Sequence, residues 1–262
     1  MTVLGLVLVG LVGLAVGSFV TVVVHRLPRG ESLARPPSRC PSCGTPIRPW
    51  HNVPVLGWLA LRGRCAACGA RISVQYPLVE LGTGILFVVL ALRLASLDQL
   101  AALPAFAYFA AIGMALTLID LVHKRLPNAI VLPSYPVLAV LLAGAAWWQG
   151  DWWAFVRSVV GGLALYAFFF AVVLIHPAGM GFGDVKLAGL VGGVLTYLSW
   201  STLIVGAFAG FLLGSLAGLV LIATGRGGGK TAMPFGPFMV AGALLAVFVA
   251  GPVAEWYGGL LA

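Results

Sequence analysis

Charged residues are scarce in this chain: Asp, Glu, Lys and Arg make up 8% of its 262 residues, against about 25% in an ordinary soluble domain. Hydrophobic residues make up 61%. This composition excludes a soluble globular protein and predicts a polytopic membrane protein. Basic residues are also missing before Arg26, and the first apolar run is too long for a secretory signal. We therefore expect a retained first helix with the N-terminus outside the cell.

Long apolar runs fill most of the chain. A bilayer core about 30 Å thick needs about 20 apolar residues per helix. The candidate runs are residues 3–24, 78–97, 101–121, 129–148, 154–175, 184–199, 201–223 and 236–253. The sequence therefore predicts an all-α polytopic membrane protein with about eight transmembrane helices. Most connecting loops are short, and there is no internal repeat of the kind found in transporters with paired halves.

The basic residues lie on one side of this predicted topology. With eight spans, one side of the membrane would carry segments 25–77, 122–128, 176–183 and 224–235. These segments hold every basic residue except Arg93, Arg157 and Lys186, and Lys186 lies just inside the sixth run. The positive-inside rule makes that side cytoplasmic. Topology and contact with anionic membrane lipid then explain the net charge of +8, so we expect no nucleic-acid partner.

Residues 25–77 form the only sizeable polar stretch, and they contain all four cysteines. About 50 proline-rich residues cannot build a self-sufficient apolar core, so a staple is expected. The sequence predicts three parts: a first transmembrane helix (1–24), a small cytoplasmic domain (25–77) and a transmembrane bundle (78–262).

The cysteines form two C-x2-C pairs, Cys40 with Cys43 and Cys65 with Cys68. Four thiolates close a tetrahedral shell without an open position, which predicts a structural Zn²⁺ site, a zinc knuckle between helices 1 and 2. Disulfides are the first alternative and are disfavoured in a reducing cytoplasm. A redox pair is the second, but no thioredoxin-like pattern surrounds it. His51 lies between the pairs, where the four cysteines leave it no ligand position to fill.

Two of the seven acidic residues occupy apolar surroundings. Asp120 follows the run 101–119, and Asp184 closes the tetrad Gly181-Phe-Gly183-Asp184. A carboxylate in the bilayer costs roughly 2.5–3.5 kcal/mol on insertion scales, which indicates a functional group. The predicted topology places both acids at the cytoplasmic end of the membrane, where they can share a site.

Two neighbouring carboxyls cannot both ionise, so such a pair retains one proton. One carboxylate can then activate water while the protonated partner polarises a peptide carbonyl, which is the chemistry of aspartyl proteases. The sequence does not settle which of the two acids is the base. The glycines before Asp184 leave room for close backbone approach.

Other interpretations stay open on the residues alone. Glu80, at the start of the second span, is either an interfacial anchor or part of a site. A proton-coupled transporter would also use intramembrane acids, but it favours acids near the midplane, broken helices and internal repeats. A scaffold whose zinc knuckle docks a partner leaves the two acids unexplained.

Short motifs follow one another along most of the chain. They are Gly17-Ser-Phe19, Arg26-Leu-Pro28, Ser38-Arg-Cys-Pro-Ser-Cys43, Asn52-Val-Pro54, Leu61-Arg-Gly-Arg-Cys65, Tyr76-Pro-Leu-Val-Glu80, Asp120 with Leu126-Pro127, Gly181-Phe-Gly-Asp-Val-Lys186 and Pro234-Phe-Gly-Pro237. This ordered series resembles the bacterial prepilin peptidases, the type IV leader peptidases among the Gly-x-Gly-Asp intramembrane aspartyl proteases.

The resemblance implies an enzyme of the bacterial cytoplasmic membrane that cleaves type IV prepilins or pseudopilins after the glycine ending their short basic leader. It also implies N-methylation of the new N-terminal residue with S-adenosylmethionine as donor. Asp120 and Asp184, with Gly181 and Gly183, would be catalytic, and the four cysteines would bind the metal. The residues that would hold the methyl donor, the particular pilin, its pathway and the oligomeric state stay open.

Two residues depart from the family's pattern. Thr21 stands where Asn is expected, and Asn128 follows Leu-Pro where many relatives have Asp. Neither belongs to the aspartate pair.

Overall fold

A computed structural model describes residues 2–176, 180–225 and 233–261. Within these ranges the chain is helical, with two isolated β-bridges and three short 3₁₀ turns. Its helices are α1 (Val3–Arg26), α2 (Leu56–Ala60), α3 (Gln75–Ser96), α4 (Leu103–His123), α5 (Asn128–Gln149), α6 (Trp152–Ile175), α7 (Phe182–Leu198), α8 (Trp200–Ala223) and α9 (Gly236–Leu261). The predicted all-α class is confirmed. Arg226 and Lys230, two of the predicted cytoplasmic bases, lie outside the described residues.

Seven of the described helices are long and apolar enough to cross a membrane. Each of the eight predicted runs corresponds to a helix, and the shortest is α7, with 17 residues. This length is at the lower limit for a span. Most residues of α7 are buried, so its neighbouring helices cover much of its surface.

The chain divides into two compact units, Met1–Ala95 and Ser96–Ala262. In the first unit, small residues let α1 and α3 approach closely. A Cβ added to Gly13 would lie 2.8 Å from the Cα of Gly84, and one added to Gly17 would lie 2.7 Å from the Cα of Glu80. The cysteine-bearing segment connects these two helices.

Glycines also bring helices together in the second unit, where α6 packs against α7 and α8 packs against α9. A Cβ on Gly192 of α7 would lie 2.5 Å from the carbonyl oxygen of Gly161 on α6. A Cβ on Gly210 of α8 would lie 3.3 Å from the carbonyl oxygen of Phe238 on α9. These contacts leave little space for larger side chains between the paired helices.

Arg157 of α6 holds the C-terminal end of α7. Its Nε donates to the carbonyl oxygen of Thr196 at 2.6 Å, and its Nη2 donates to those of Tyr197 at 2.6 Å and Leu198 at 3.0 Å. The Tyr197 hydroxyl also donates to Oε1 of Gln149, at the end of α5, at 3.0 Å. The last carbonyls of a helix have no partner within it, so these bonds fix the end of α7 against α5 and α6.

Candidate active site and metal centre

Asp120 lies in the last turn of α4 and is 4% exposed. The helix ends at His123, and its C-cap residue, Lys124, adopts the left-handed conformation and donates its N–H to the carbonyl oxygen of Asp120 at 2.8 Å. The carboxyl group of Asp120 lies against Gly236, the first residue of α9, because a Cβ added to Gly236 would lie 2.8 Å from its Oδ2. The start of α9 therefore packs against the carboxyl at the end of α4.

Asp184 is the third residue of α7 and is 9% exposed. Its N–H donates to the carbonyl oxygen of Gly181, the N-cap residue, at 3.0 Å. A Cβ added to Gly181 would lie 3.6 Å from Oδ2 of Asp184. The carboxyl therefore lies beside the cap of α7.

The two carboxyls are close enough to interact electrostatically. Leu126, in the loop after α4, connects their surroundings, because its side chain lies against both Gly183 and Gly236. The end of α4 and the starts of α7 and α9 thus meet around one pair of buried acids. This arrangement fits the predicted aspartate pair, and the catalytic roles of Asp120, Asp184, Gly181 and Gly183 stay a prediction.

Polar contacts join the start of α5 to α7 beside this site. Nζ of Lys186 donates to Oδ1 of Asn128 at 2.9 Å and lies 5.0 Å from the centre of the Phe182 ring. The Tyr135 hydroxyl donates to the carbonyl oxygen of Lys186 at 2.7 Å. These contacts hold the first turns of the two helices together.

The four cysteines converge in the first unit. Their sulfur atoms all lie within 4.8 Å of one another, and those of Cys40 and Cys68 are 3.9 Å apart. A tetrahedral site with Zn–S bonds of about 2.3 Å requires sulfurs about 3.8 Å apart. The donor set and its spacing therefore fit a metal ion.

Each C-x2-C pair lies in a tight turn of the same form. The N–H of Gly44 donates to the carbonyl oxygen of Cys40 at 2.9 Å, and the N–H of Gly69 donates to that of Cys65 at 2.9 Å. These glycines have φ values of 71° and 72°, which residues with a side chain rarely adopt. Neither glycine was among the predicted functional residues, although the sequence contains the signal, a glycine directly after the second cysteine of each pair.

Hydrogen bonding with the side chain and then the backbone of Thr45 lowers the pKa of the Cys43 thiol from 9.0 to about 6, whereas the pKa of the neighbouring Cys68 thiol is raised to about 11. The thiolate is the form that binds metals. His51 packs its ring edgewise against Trp50, 6.1 Å between centroids. Within the described residues, the candidate ligand cluster consists of the four cysteines.

Glu80 is 8% exposed and supports a strained turn of the cysteine-bearing segment. Its Oε2 accepts a hydrogen bond of 2.7 Å from the N–H of Val55. Val55 has φ 61° and ψ −51°, and the N–H of Leu56 donates to the carbonyl oxygen of Pro54 at 2.6 Å. This is the strained form of γ-turn. Of the two roles considered for Glu80, interfacial anchor and part of a site, this contact decides neither, and it makes Glu80 a structural link between α3 and the cysteine-bearing segment.

In the sequence, Leu126 and Gly236 are only parts of motifs, and Arg157 bears only on the topology. Leu126 and Gly236 pack beside the acids, and Arg157 binds the end of α7. These contacts join elements that are far apart in the chain, so no local sequence pattern predicts them.

Comparison with known proteins covers both units. Residues 11–94 match the model of the bacterial peptidase A24 N-terminal domain, and residues 107–223 match that of the type IV leader peptidase family. No solved structure matches the chain.

Three curated relatives are each called prepilin leader peptidase/N-methyltransferase. The protein of Pseudomonas putida is 38% identical over 259 residues, covering 90% of this chain and 87% of the relative. That of Stutzerimonas stutzeri is 34% identical, covering 87% and 84%. That of Aeromonas hydrophila is 35% identical, covering 95% and 92%. The chain therefore belongs to the type IV leader peptidase family.

Proposed function

We propose that this chain removes the leader peptide of type IV prepilins or pseudopilins and then methylates the new N-terminus. The observation that carries the peptidase is the pair of buried carboxyls of Asp120 and Asp184, which interact electrostatically where the end of α4 meets the starts of α7 and α9. The names and coverage of the relatives support both activities.

In the proposed cleavage, one carboxylate removes a proton from water, and the resulting oxygen nucleophile attacks the carbonyl carbon of the leader's last glycine. The protonated carboxyl of the partner donates a hydrogen bond to the carbonyl oxygen, where negative charge develops. The tetrahedral intermediate then breaks its C–N bond, and the leaving amine takes up a proton. Asp120 and Asp184 share these roles as a pair.

The released amine is the nucleophile of the second reaction. After losing a proton, its nitrogen would accept the methyl group of S-adenosylmethionine, whose sulfonium becomes a thioether. Cleavage has to come first, because the amide nitrogen of the intact prepilin has its lone pair delocalised into the carbonyl.

We also propose that the four cysteines bind a structural Zn²⁺ ion. Cys40, Cys43, Cys65 and Cys68 supply the soft donors that this ion prefers, and four ligands leave no position for water or substrate. The ion's role would be to stabilise the small domain.

The location of the active site follows from the positive-inside distribution of basic residues. We place the protein in the bacterial cytoplasmic membrane, with the N-terminus outside and residues 25–77 in the cytoplasm between the first helix (1–24) and the bundle (78–262). A prepilin would then contact the bundle through its apolar helix in the lipid and present its leader at the cytoplasmic surface, where Asp120 and Asp184 lie.

The test is incubation of the detergent-purified protein with a purified type IV prepilin. We expect the wild type to remove the leader, and Asp120→Asn and Asp184→Asn to reduce the rate at least about 100-fold. Asp98→Asn is the matched control, because Asp98 is exposed and has a positive φ that Asn also tolerates. Normal cleavage by either aspartate variant would exclude the pair as the catalytic centre. Mass spectrometry of the product with added S-adenosylmethionine tests methylation.

A further inference from the structure

Leu126 lies between the two backbone segments that hold the acids. A Cβ added to Gly183 would lie 3.0 Å from the Cβ of Leu126. A Cβ added to Gly236 would lie 3.2 Å from Cδ2 of Leu126 and 2.8 Å from Oδ2 of Asp120. The leucine side chain therefore fills the space between the start of α7 and the start of α9. Gly183 has no room for a side chain unless Leu126 moves, and at Gly236 the Asp120 carboxylate would have to move as well.

These contacts connect the two carboxyls through a single side chain. The Asp120 carboxyl lies against Gly236, Gly236 lies against Leu126, and Leu126 lies against Gly183, whose neighbour is Asp184. The width of the leucine side chain thus sets the separation of Gly236 from Gly183. That separation in turn sets the placement of the two acids relative to each other.

The loop that carries Leu126 is held at both ends. On the α4 side, the N–H of Lys124 bonds to the carbonyl oxygen of Asp120 at 2.8 Å. On the α5 side, Oδ1 of Asn128 accepts from Lys186 at 2.9 Å. Pro127 also restricts the backbone of Leu126. The side chain is therefore held against the two glycines and does not swing freely in the loop.

We propose that Leu126 is a positioning residue of the peptidase, whose side-chain volume keeps Asp120 and Asp184 at the spacing that cleavage needs. This inference rests on the proposed peptidase function. Leu126 supplies no acid, base or hydrogen bond, so its effect passes through the two carboxyls. Misplacement of reacting groups by about 1 Å can reduce a rate about 100-fold.

The first experiment measures kcat and KM for cleavage of a purified type IV prepilin by a graded series of variants in detergent. We expect Leu126→Ala to lower kcat at least about tenfold while KM changes less than about twofold. The kcat of Leu126→Val should lie between those of Leu126→Ala and the wild type. The kcat of Leu126→Met, which conserves side-chain volume, should stay within about threefold of the wild-type value. Leu132→Ala is the matched control, because Leu132 is a half-exposed residue of α5.

The second experiment tests the contact itself. Gly183→Ala should lower kcat, because its new methyl group meets Leu126. Adding Leu126→Ala to Gly183→Ala should raise kcat at least about threefold above that of the glycine variant alone, since the smaller side chain makes room. The same addition to Gly181→Ala should bring no recovery, because a Cβ there has ordinary contacts only, 3.6 Å from Oδ2 of Asp184.

The outcomes separate this inference from the function on which it rests. An active wild type with a normal kcat for Leu126→Ala would overturn the positioning role and leave the peptidase intact. A rise in KM at constant kcat would overturn it too, in favour of substrate binding. Absence of cleavage by the wild type would overturn the peptidase proposal itself. If Leu126→Ala does not fold, the comparison of Leu126→Val with Leu126→Met decides, and equal kcat values would contradict the inference.

Discussion

Oε2 of Glu80 on α3 accepts a hydrogen bond of 2.7 Å from the backbone N–H of Val55, which lies 25 residues earlier in the chain. Val55 is the central residue of a γ-turn with φ 61°, a conformation that costs a β-branched residue on the order of 1–3 kcal/mol. A buried acid at the start of a membrane helix thus stabilises a strained turn in the cysteine-bearing segment. Glu80 thereby fixes this segment to the helix that follows it.

Glu80→Ala should therefore destabilise the protein. The N–H of Val55 would lose its buried partner, at a cost of about 1–3 kcal/mol, and the thermal unfolding temperature in detergent should fall. Val55→Gly is the informative companion, because glycine adopts this conformation without strain. It should leave the unfolding temperature unchanged or raise it. An unchanged unfolding temperature for Glu80→Ala would contradict the assigned role.

Replacement of any one knuckle cysteine should reduce bound zinc. Cys40→Ser removes a buried ligand and Cys68→Ser an exposed one, and both leave three thiolates, a weaker site than four. Zinc per chain after removal of free metal is the measurement. His51→Asn is the control and should keep the wild-type zinc content. A wild-type protein that takes up no zinc would refute the metal assignment.

The two glycines of the Gly-x-Gly-Asp tetrad should respond differently to alanine. Gly183→Ala brings a methyl group to 3.0 Å from Leu126, whereas the Cβ of Gly181→Ala lies 3.6 Å from the Asp184 carboxylate, an ordinary contact. We expect Gly183→Ala to reduce the cleavage rate at least about tenfold and Gly181→Ala to reduce it less. The check is the initial rate of prepilin cleavage by each variant. Equal losses would show that the packing against Leu126 does not matter.

Arg157→Gln should loosen the end of α7. The arginine donates to the carbonyls of Thr196, Tyr197 and Leu198, and hydrogen bonds from a charged donor contribute about 1.5–3 kcal/mol each when partners stay buried. The unfolding temperature should fall. Arg157→Lys should restore only part of the loss, because an ammonium group cannot reproduce the planar fork of a guanidinium. Full recovery with lysine would show that charge alone is sufficient.

The sequence was sufficient to predict the helices, because each of the eight apolar runs became one. The positions of Asp120 and Asp184 were also predictable, since an acid in an apolar run stands out wherever the helices pack. The cysteine cluster was predictable because the spacing within each C-x2-C pair is a local sequence pattern. In the structure the four sulfur atoms lie within 4.8 Å of one another.

The remaining parts of the site depend on contacts between distant elements. Leu126 and Gly236 are unremarkable in their own segments, and their relation to the acids emerges only where α4, α7 and α9 meet. Arg157 lies within the predicted run 154–175 and on the side away from the other basic residues, yet its three acceptors lie about 40 residues later in the chain. The sequence does not predict the strained backbone of Val55 either, because β-branched residues such as valine rarely adopt a positive φ.

The matching turns at Cys40–Gly44 and Cys65–Gly69 each present two sulfurs, so neither turn can complete a four-coordinate shell by itself. A bound ion would act as a cross-link between two distant points of a polypeptide loop, reducing the conformational entropy of the disordered state. Removing it with a chelator should release that loop while α1 and α3 stay in the lipid. The domain would then lose its order without the protein leaving the membrane.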